Sequence, residues 1–140
     1  MICAIRIRGM VGIGKEVENT LNRLRLRRKY SCVLLPEKKE IAGMVERLRN
    51  DIAFGKIDKE TLTELIKVRG KSIEKKKIDA VKIASGLLES KTEKNLSDFG
   101  LKPFFRLHPP RGGIETKKHF PKGVLGNHGE KINELVRRML

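Results

Sequence analysis

The chain has no tryptophan, one tyrosine and five phenylalanines, so aromatic residues make up only 4% of its 140 positions. That composition excludes a broad platform on which many bases stack, and favours contacts to phosphate and to shape. Its two cysteines, Cys3 and Cys32, fall inside apolar strand candidates. They read as buried reduced thiols of an intracellular protein rather than as a disulfide framework or metal pair. No segment holds 18 consecutive apolar residues and none has the pattern of a signal peptide, so neither a membrane span nor a secretory leader is predicted. The three histidines, His108, His119 and His128, lack the spacing of a zinc cluster, and no metal or other cofactor is expected. No nucleophile–base–acid set is visible, and Asp98-Phe99-Gly100 stands without the other kinase motifs, which argues against catalysis.

Acidic residues are also scarce: 17 Asp and Glu face 32 Lys and Arg, giving a net charge of +15 and a pI near 10.2. Such an excess raises the energy of a compact chain by self-repulsion. Nucleic acid is the partner that best accounts for it, because each neutralised phosphate releases a condensed counterion. Residues 1–57 carry 13 basic and 6 acidic side chains, net +7; residues 58–99 carry 10 and 8, net +2; residues 100–140 carry 9 and 3, net +6. Phosphate contacts are therefore expected in the first and last parts.

Residues 1–57 read as β-α-β-α-β. The predicted strands are Ile2–Ile7, Tyr30–Leu35 and Ile52–Ile57. A helix from about Lys15 places Val17, Leu21 and Leu24 on one face, and a second, Glu37–Arg49, has Ile41, Met44, Val45 and Leu48 at i, i+3, i+4, i+7. Both helices are expected on one face of a small sheet. Apolar residues nevertheless point both ways along the strands, so the second face, assigned Ile2, Ala4, Cys32 and Leu34, should be covered by the rest of the chain. Beyond it, Asp58 and Asp79 can cap helices carrying Leu62, Leu65 and Ile66, and Val81, Ala84, Leu87 and Leu88. Gly70 ends the first of these, and Leu96 and Phe99 sit in a short turn. A glycine-rich stretch, 122–129, precedes a last helix with Ile132, Leu135, Val136 and Met139 inward and Arg137 and Arg138 on its flank.

Three motifs bear on chemistry. Gly9 to Lys15 matches the spacing of a phosphate loop, but Glu16 stands where Ser or Thr would hold magnesium. Nucleotide hydrolysis is therefore a remote alternative. The turn serves equally well as structure or as a seat for one phosphate, with Lys15 beside it. Arg23, Arg25, Arg27, Arg28 and Lys29 place five cations within seven residues, more than a helix dipole explains, and are assigned to RNA. Lys75, Lys76 and Lys77 are diluted by Glu74 and Asp79 and read as a solvated connector. The segment Phe104 to Gly113 sets a short strand before Pro109-Pro110-Arg111-Gly112-Gly113, a strap stiffened by proline and opened by glycine. Arg106, His108 and Arg111 ride on it, with Lys117, Lys118 and His119 close behind. Arg6 and Arg8, at the end of the first strand, join the predicted RNA-binding set with Gly112, Gly113, Arg137 and Arg138.

Ile5-Arg6-Ile7-Arg8-Gly9 with Gly14, the step Ala42-Gly43-Met44-Val45, the run Phe105 to Gly113 and the tail Gly123 to Asn133 with Leu135 and Arg137-Arg138-Met139 resemble one family across nearly the whole chain. It is the L-thirty family of large-subunit ribosomal proteins in its longer archaeal form, related to the eukaryotic L-seven proteins. The resemblance implies an α+β fold: a β-α-β-α-β core with a mainly antiparallel three-stranded sheet at 1–57 and a mostly helical extension at 58–140. It also implies a structural, non-catalytic role, with large-subunit ribosomal RNA and neighbouring ribosomal proteins as partners, no small-molecule substrate and a cytoplasmic location in the ribosome. A free-standing RNA-binding regulator or chaperone is the alternative from another class.

Overall fold

The computed structural model describes residues 1–9, 11–73, 77, 79–89, 100–114, 116 and 118–140. Chain order is β1 (Ile2–Arg6), α1 (Lys15–Arg23), β2 (Ser31–Leu35), α2 (Lys39–Arg47), β3 (Ile52–Lys56), α3 (Lys59–Arg69), α4 (Ala80–Glu89), β4 (Phe105–Arg106), β5 (Gly126–Gly129) and α5 (Ile132–Met139). The strands form one sheet in the order β4-β2-β1-β3-β5. All neighbours are antiparallel except β3 and β5, which are parallel. The predicted three-stranded sheet is thus the centre of a larger one, lengthened at both edges by strands from the second half of the chain. The predicted elements of the first region run one to four residues longer than the observed ones; Pro36 and the extended backbone of Lys38, for example, delay α2 until Lys39.

The strands are buried on both faces. Ala4, Val33, Leu35, Ile52 and Phe54 pack under α1 and α2 with Leu21, Leu24, Leu26, Val45 and Leu48. Cys3, Ile5, Ile7, Cys32 and Ala53 pack against Leu62, Leu65, Ile66, Ala84, Ile132, Val136 and Met139 of α3, α4 and α5. The covering of a second face is as expected, but two of its assigned members are not. Antiparallel pairing sets Ile2 opposite Leu35 and Cys3 opposite Leu34, so Cys3 and Ile5 share a face with Leu34 and Cys32, while Ile2 and Ala4 belong under α1 and α2. A face read along each strand separately misses this, because register decides which alternate residues join across strands. Each fully buried Leu or Ile adds ~1.5–3 kcal/mol relative to exposure, so the extension is part of the core.

Cys3 and Cys32 are free, wholly buried and 3.3 Å apart between their Sγ atoms. The hydrogen bond to Cys3 and burial together push the Cys32 thiol well above its ordinary value, which keeps it from acting as a nucleophile. Asp58 caps α3 through a 2.7 Å bond from the Thr61 N–H, and Asp79 caps α4 through the Lys82 N–H at 3.2 Å. Gly70 closes α3, its N–H on the Ile66 carbonyl at 2.9 Å. Leu96, Phe99 and the triplet's Asp98 lie outside the described residues.

The 122–129 stretch, expected only as a glycine-rich segment, contains β5. Gly55 of β3 shows why glycine recurs here: a Cβ on it would stand 2.2 Å from the Gly129 carbonyl oxygen and 2.9 Å from Ile132 Cβ. The close approach of the extension to β3 at this point therefore depends on Gly55 lacking a side chain. Gly55→Ala is expected to lower stability by about 1–3 kcal/mol, read from urea midpoints, because the blocking atom is backbone and cannot swing aside.

Candidate nucleic-acid interface

A buried cation organises the surface around the α1–β2 turn. Arg6 is 2% exposed, and its guanidinium donates to the carbonyls of Leu26 at 2.8 Å, Arg8 at 3.0 Å and Gly9 at 3.3 Å. Burial pulls its pKa down, against the opposing pull of the Asp51 and Glu18 carboxylates. Arg6 was expected to touch RNA; its depth and its three carbonyl acceptors make it instead the tie that holds this turn. Arg8 lies at the surface, bonded to Asp51 at 3.0 Å and to the Gly12 carbonyl at 2.9 Å. That bracing favours the structural reading of the Gly9–Lys15 turn. Glu16 and Glu18 occupy the first turn of α1 and already supply negative charge to its N-terminus; Lys15 is exposed beside them.

At the other end of α1 the chain leaves the helix by a Schellman turn. The Leu26 N–H bonds to the Leu21 carbonyl at 2.9 Å and the Arg25 N–H to that of Asn22 at 3.1 Å. Arg25 occupies the left-handed position with φ of 63°, where glycine is usual. The turn buries Leu24 and Leu26 and leaves Arg23, Arg25, Arg27 and Arg28 exposed. Pairing of β4 with β2 sets Arg106 opposite Ser31, bringing a fifth arginine to the same place. These residues line a cleft of about 460 Å³ together with Asn22 and Phe104, and no carboxylate among the described residues lines it. Lys29 turns toward Tyr30, its Nζ 5.0 Å from the ring centroid.

The strap forms a second cationic surface. The His108 and Arg111 N–H groups bond to the Met139 and Arg138 carbonyls at 3.1 and 3.0 Å, capping the C-terminal end of α5. Arg138 returns bonds to the carbonyls of Arg111 at 3.0 Å and Gly113 at 2.6 Å. Gly112 and Gly113 have φ of 82° and 75°, which lets the strap fold back on the helix. Arg111, Arg138, Lys122 and Lys131 border a hollow of about 510 Å³ that also includes Glu134. His108, expected to make polar contacts to RNA or to backbone, faces the main-chain oxygens of Pro109 and Leu140 with its two ring nitrogens and so joins the clasp. His119 is exposed, with Nε2 2.7 Å from Asn50 Oδ1. Arg137 lies 3.8 Å from Glu60 and from Glu64, which dilutes its charge. Lys118 is exposed, and Lys117, Lys75 and Lys76 lie outside the described residues.

The structure therefore divides the predicted set. Arg106 joins the α1–β2 arginines, although it is close in sequence to Arg111. Phe104, Asn22, Ser31, Lys122 and Lys131 were not in that set. Period-two alternation beside the buried Phe105 was the available signal for Phe104; the others had none, being placed by pairing and packing.

Two expected outcomes follow from these contacts. Arg6→Lys keeps the charge but cannot reach three carbonyls in a fork, so it should cost about 2–4 kcal/mol in urea unfolding and weaken RNA binding with little change in salt dependence. His128 is 8% exposed; burial lowers its pKa, and the Val124 carbonyl, 2.5 Å from Nε2, pulls the other way. The folded state thus binds this proton less readily than the unfolded chain, and stability should fall as pH drops below about 6.5, by no more than ~1.4 kcal/mol per unit. His128→Gln should flatten that part of the urea-midpoint profile between pH 7 and 5.5.

Residues 3–50 match the family of ribosomal protein L30p/L7e. Nearly the whole chain aligns with large ribosomal subunit protein uL30 of three archaea. Identity is 39% with that of Archaeoglobus fulgidus, over 99% of both chains. It is 39% with that of Nanoarchaeum equitans, over 96% of both. With that of Desulfurococcus amylolyticus it is 41%, over 97% of this chain and 96% of the relative. Similarity of this extent, together with the mixed sheet and its two arginine- and glycine-bearing surfaces, places the chain in the uL30 family of large ribosomal subunit proteins.

Proposed function

We propose that this protein is a structural constituent of the large ribosomal subunit, in the cytoplasm, binding ribosomal RNA and neighbouring ribosomal proteins and catalysing no reaction. Residues 1–57 act as the family core and 58–140 as the extension that completes the sheet and carries the strap. The observation that carries this reading is the convergence of Arg23, Arg25, Arg27 and Arg28 with Arg106, from a distant part of the chain, on a cleft that no carboxylate among the described residues lines. Packing five like charges together is unfavourable unless a polyanion neutralises them. Arg111, Lys118, Lys122, Lys131 and Arg138 supply a second set of phosphate contacts at the strap, and Lys15 and Arg8 add positive charge near the N-terminal end of α1.

Sedimentation tests the assignment. The protein should travel with large subunits through a salt wash; recovery only in the free fraction would favour a regulator or chaperone. A salt titration tests the surface. Replacing Arg23, Arg27, Arg28 and Arg106 with Ala should flatten the log–log salt dependence of binding to large-subunit RNA by about 3, at ~0.7–0.9 per phosphate contact. Lys67→Ala with Lys82→Ala, two exposed positions of the nearly neutral middle region, should leave the slope nearly unchanged.

A further inference from the structure

The arginine cleft contains more than phosphate ligands need. Phe104 lines it half-buried, and the Arg106 guanidinium carbon lies 5.4 Å from the Phe104 ring centroid. Phe105, between them, points to the opposite face and is 1% exposed. Alternation along β4 thus presents an aromatic ring and a planar cation together at the cleft, the two surfaces on which unpaired bases stack. Ser31, directly across the sheet from Arg106, is 5% exposed, and its hydroxyl makes no hydrogen bond among the described residues. The Asn22 side-chain amide is likewise without a partner there. Both groups can therefore bond to the edge of a base that enters the cleft. The volume of about 460 Å³ falls within the ~300–1,000 Å³ of sites that enclose a small ligand. A regular RNA helix has its bases stacked inside and offers a cleft of this size only backbone.

Resting on the RNA-binding reading of the cleft, we propose that it captures a single unpaired nucleotide, bulged from the RNA it binds. The base stacks on Phe104 and Arg106, its edge is read by Asn22 and Ser31, and the neighbouring phosphates lie on Arg23, Arg27 and Arg28. One aromatic ring suffices for one base, so the low aromatic content of the chain is no obstacle.

The test compares two RNA hairpins of the same stem, one fully paired and one with a single bulged 2-aminopurine, for binding to the full chain. The bulged hairpin should bind about tenfold more tightly, with the fluorescence of the probe quenched on binding. Phe104→Leu should reduce that preference to about twofold or less while leaving the salt slope intact. Asn22→Ala, at an exposed position that does not endanger folding, should keep the bulge preference and lose discrimination among bulged bases. Equal affinity for the two hairpins overturns the proposal and leaves the RNA-binding reading standing, as does an unchanged preference in folded Phe104→Leu or an unchanged base preference in Asn22→Ala. Failure to bind either hairpin at low salt removes both.

Discussion

The bond from Arg6 to the Leu26 carbonyl joins the fold to its surface. A guanidinium at 2% exposure is costly to desolvate unless it is hydrogen-bonded, and here three main-chain oxygens do so. Those oxygens would themselves be short of donors, since they belong to turns rather than to the sheet. The geometry is reciprocal: the cation is tolerated inside because the turns supply carbonyls, and the turns hold their shape because the cation is inside. The Leu26 carbonyl lies between Arg25 and Arg27, so ordering it also orders the cationic wall of the cleft. Charge inside the protein thus positions charge outside it.

The sheet imposes a second constraint. With Ile5, Ile7, Cys32 and Ala53 buried beneath α3, α4 and α5, the strands of the first region have no solvent face. Much of this was legible in the sequence. Alternation that left apolar residues on both sides required a cover, and the spacing of Leu62, Leu65, Ile132 and Val136 supplied candidates. What could not be read was which alternate residues meet across strands, since a pattern within one strand says nothing about register. The edge strand β5 was hidden for a related reason. Its glycines are poor strand formers taken alone, and the room for it comes from β3, where a Cβ on Gly55 would strike the Gly129 carbonyl oxygen.

The site was legible in part, and the boundary follows the same physics. A dense run such as Arg23 to Lys29 announces a partner through charge alone, and the structure leaves four of its arginines together in the cleft. Arg6 carries the same charge and shows no such mark; only its place on a buried strand removes it from the surface. His108 and Arg137 are also diverted by local partners that chain order does not bring near. Arg106 moved from one group to the other because strand pairing, which joins it to Ser31, outranks its proximity to Arg111.

Arg25 shows how fold and surface are reconciled within one residue. The Schellman turn that buries Leu26 calls for a left-handed residue, and glycine would adopt it with less strain. An arginine there accepts a backbone penalty on the order of 1 kcal/mol and gains a cation at the mouth of the cleft. Its side chain stays exposed while Leu24 and Leu26 on either side are buried, so it adds charge at the surface. The penalty is compensated by contacts already in place: two turn hydrogen bonds, the burial of both leucines and the grip of Arg6 on the next carbonyl. A local choice unfavourable for the isolated chain is therefore stable in the fold and becomes advantageous once phosphate is present. The same reasoning extends to the net charge of +15, whose repulsion opposes the free protein and whose neutralisation favours the bound one.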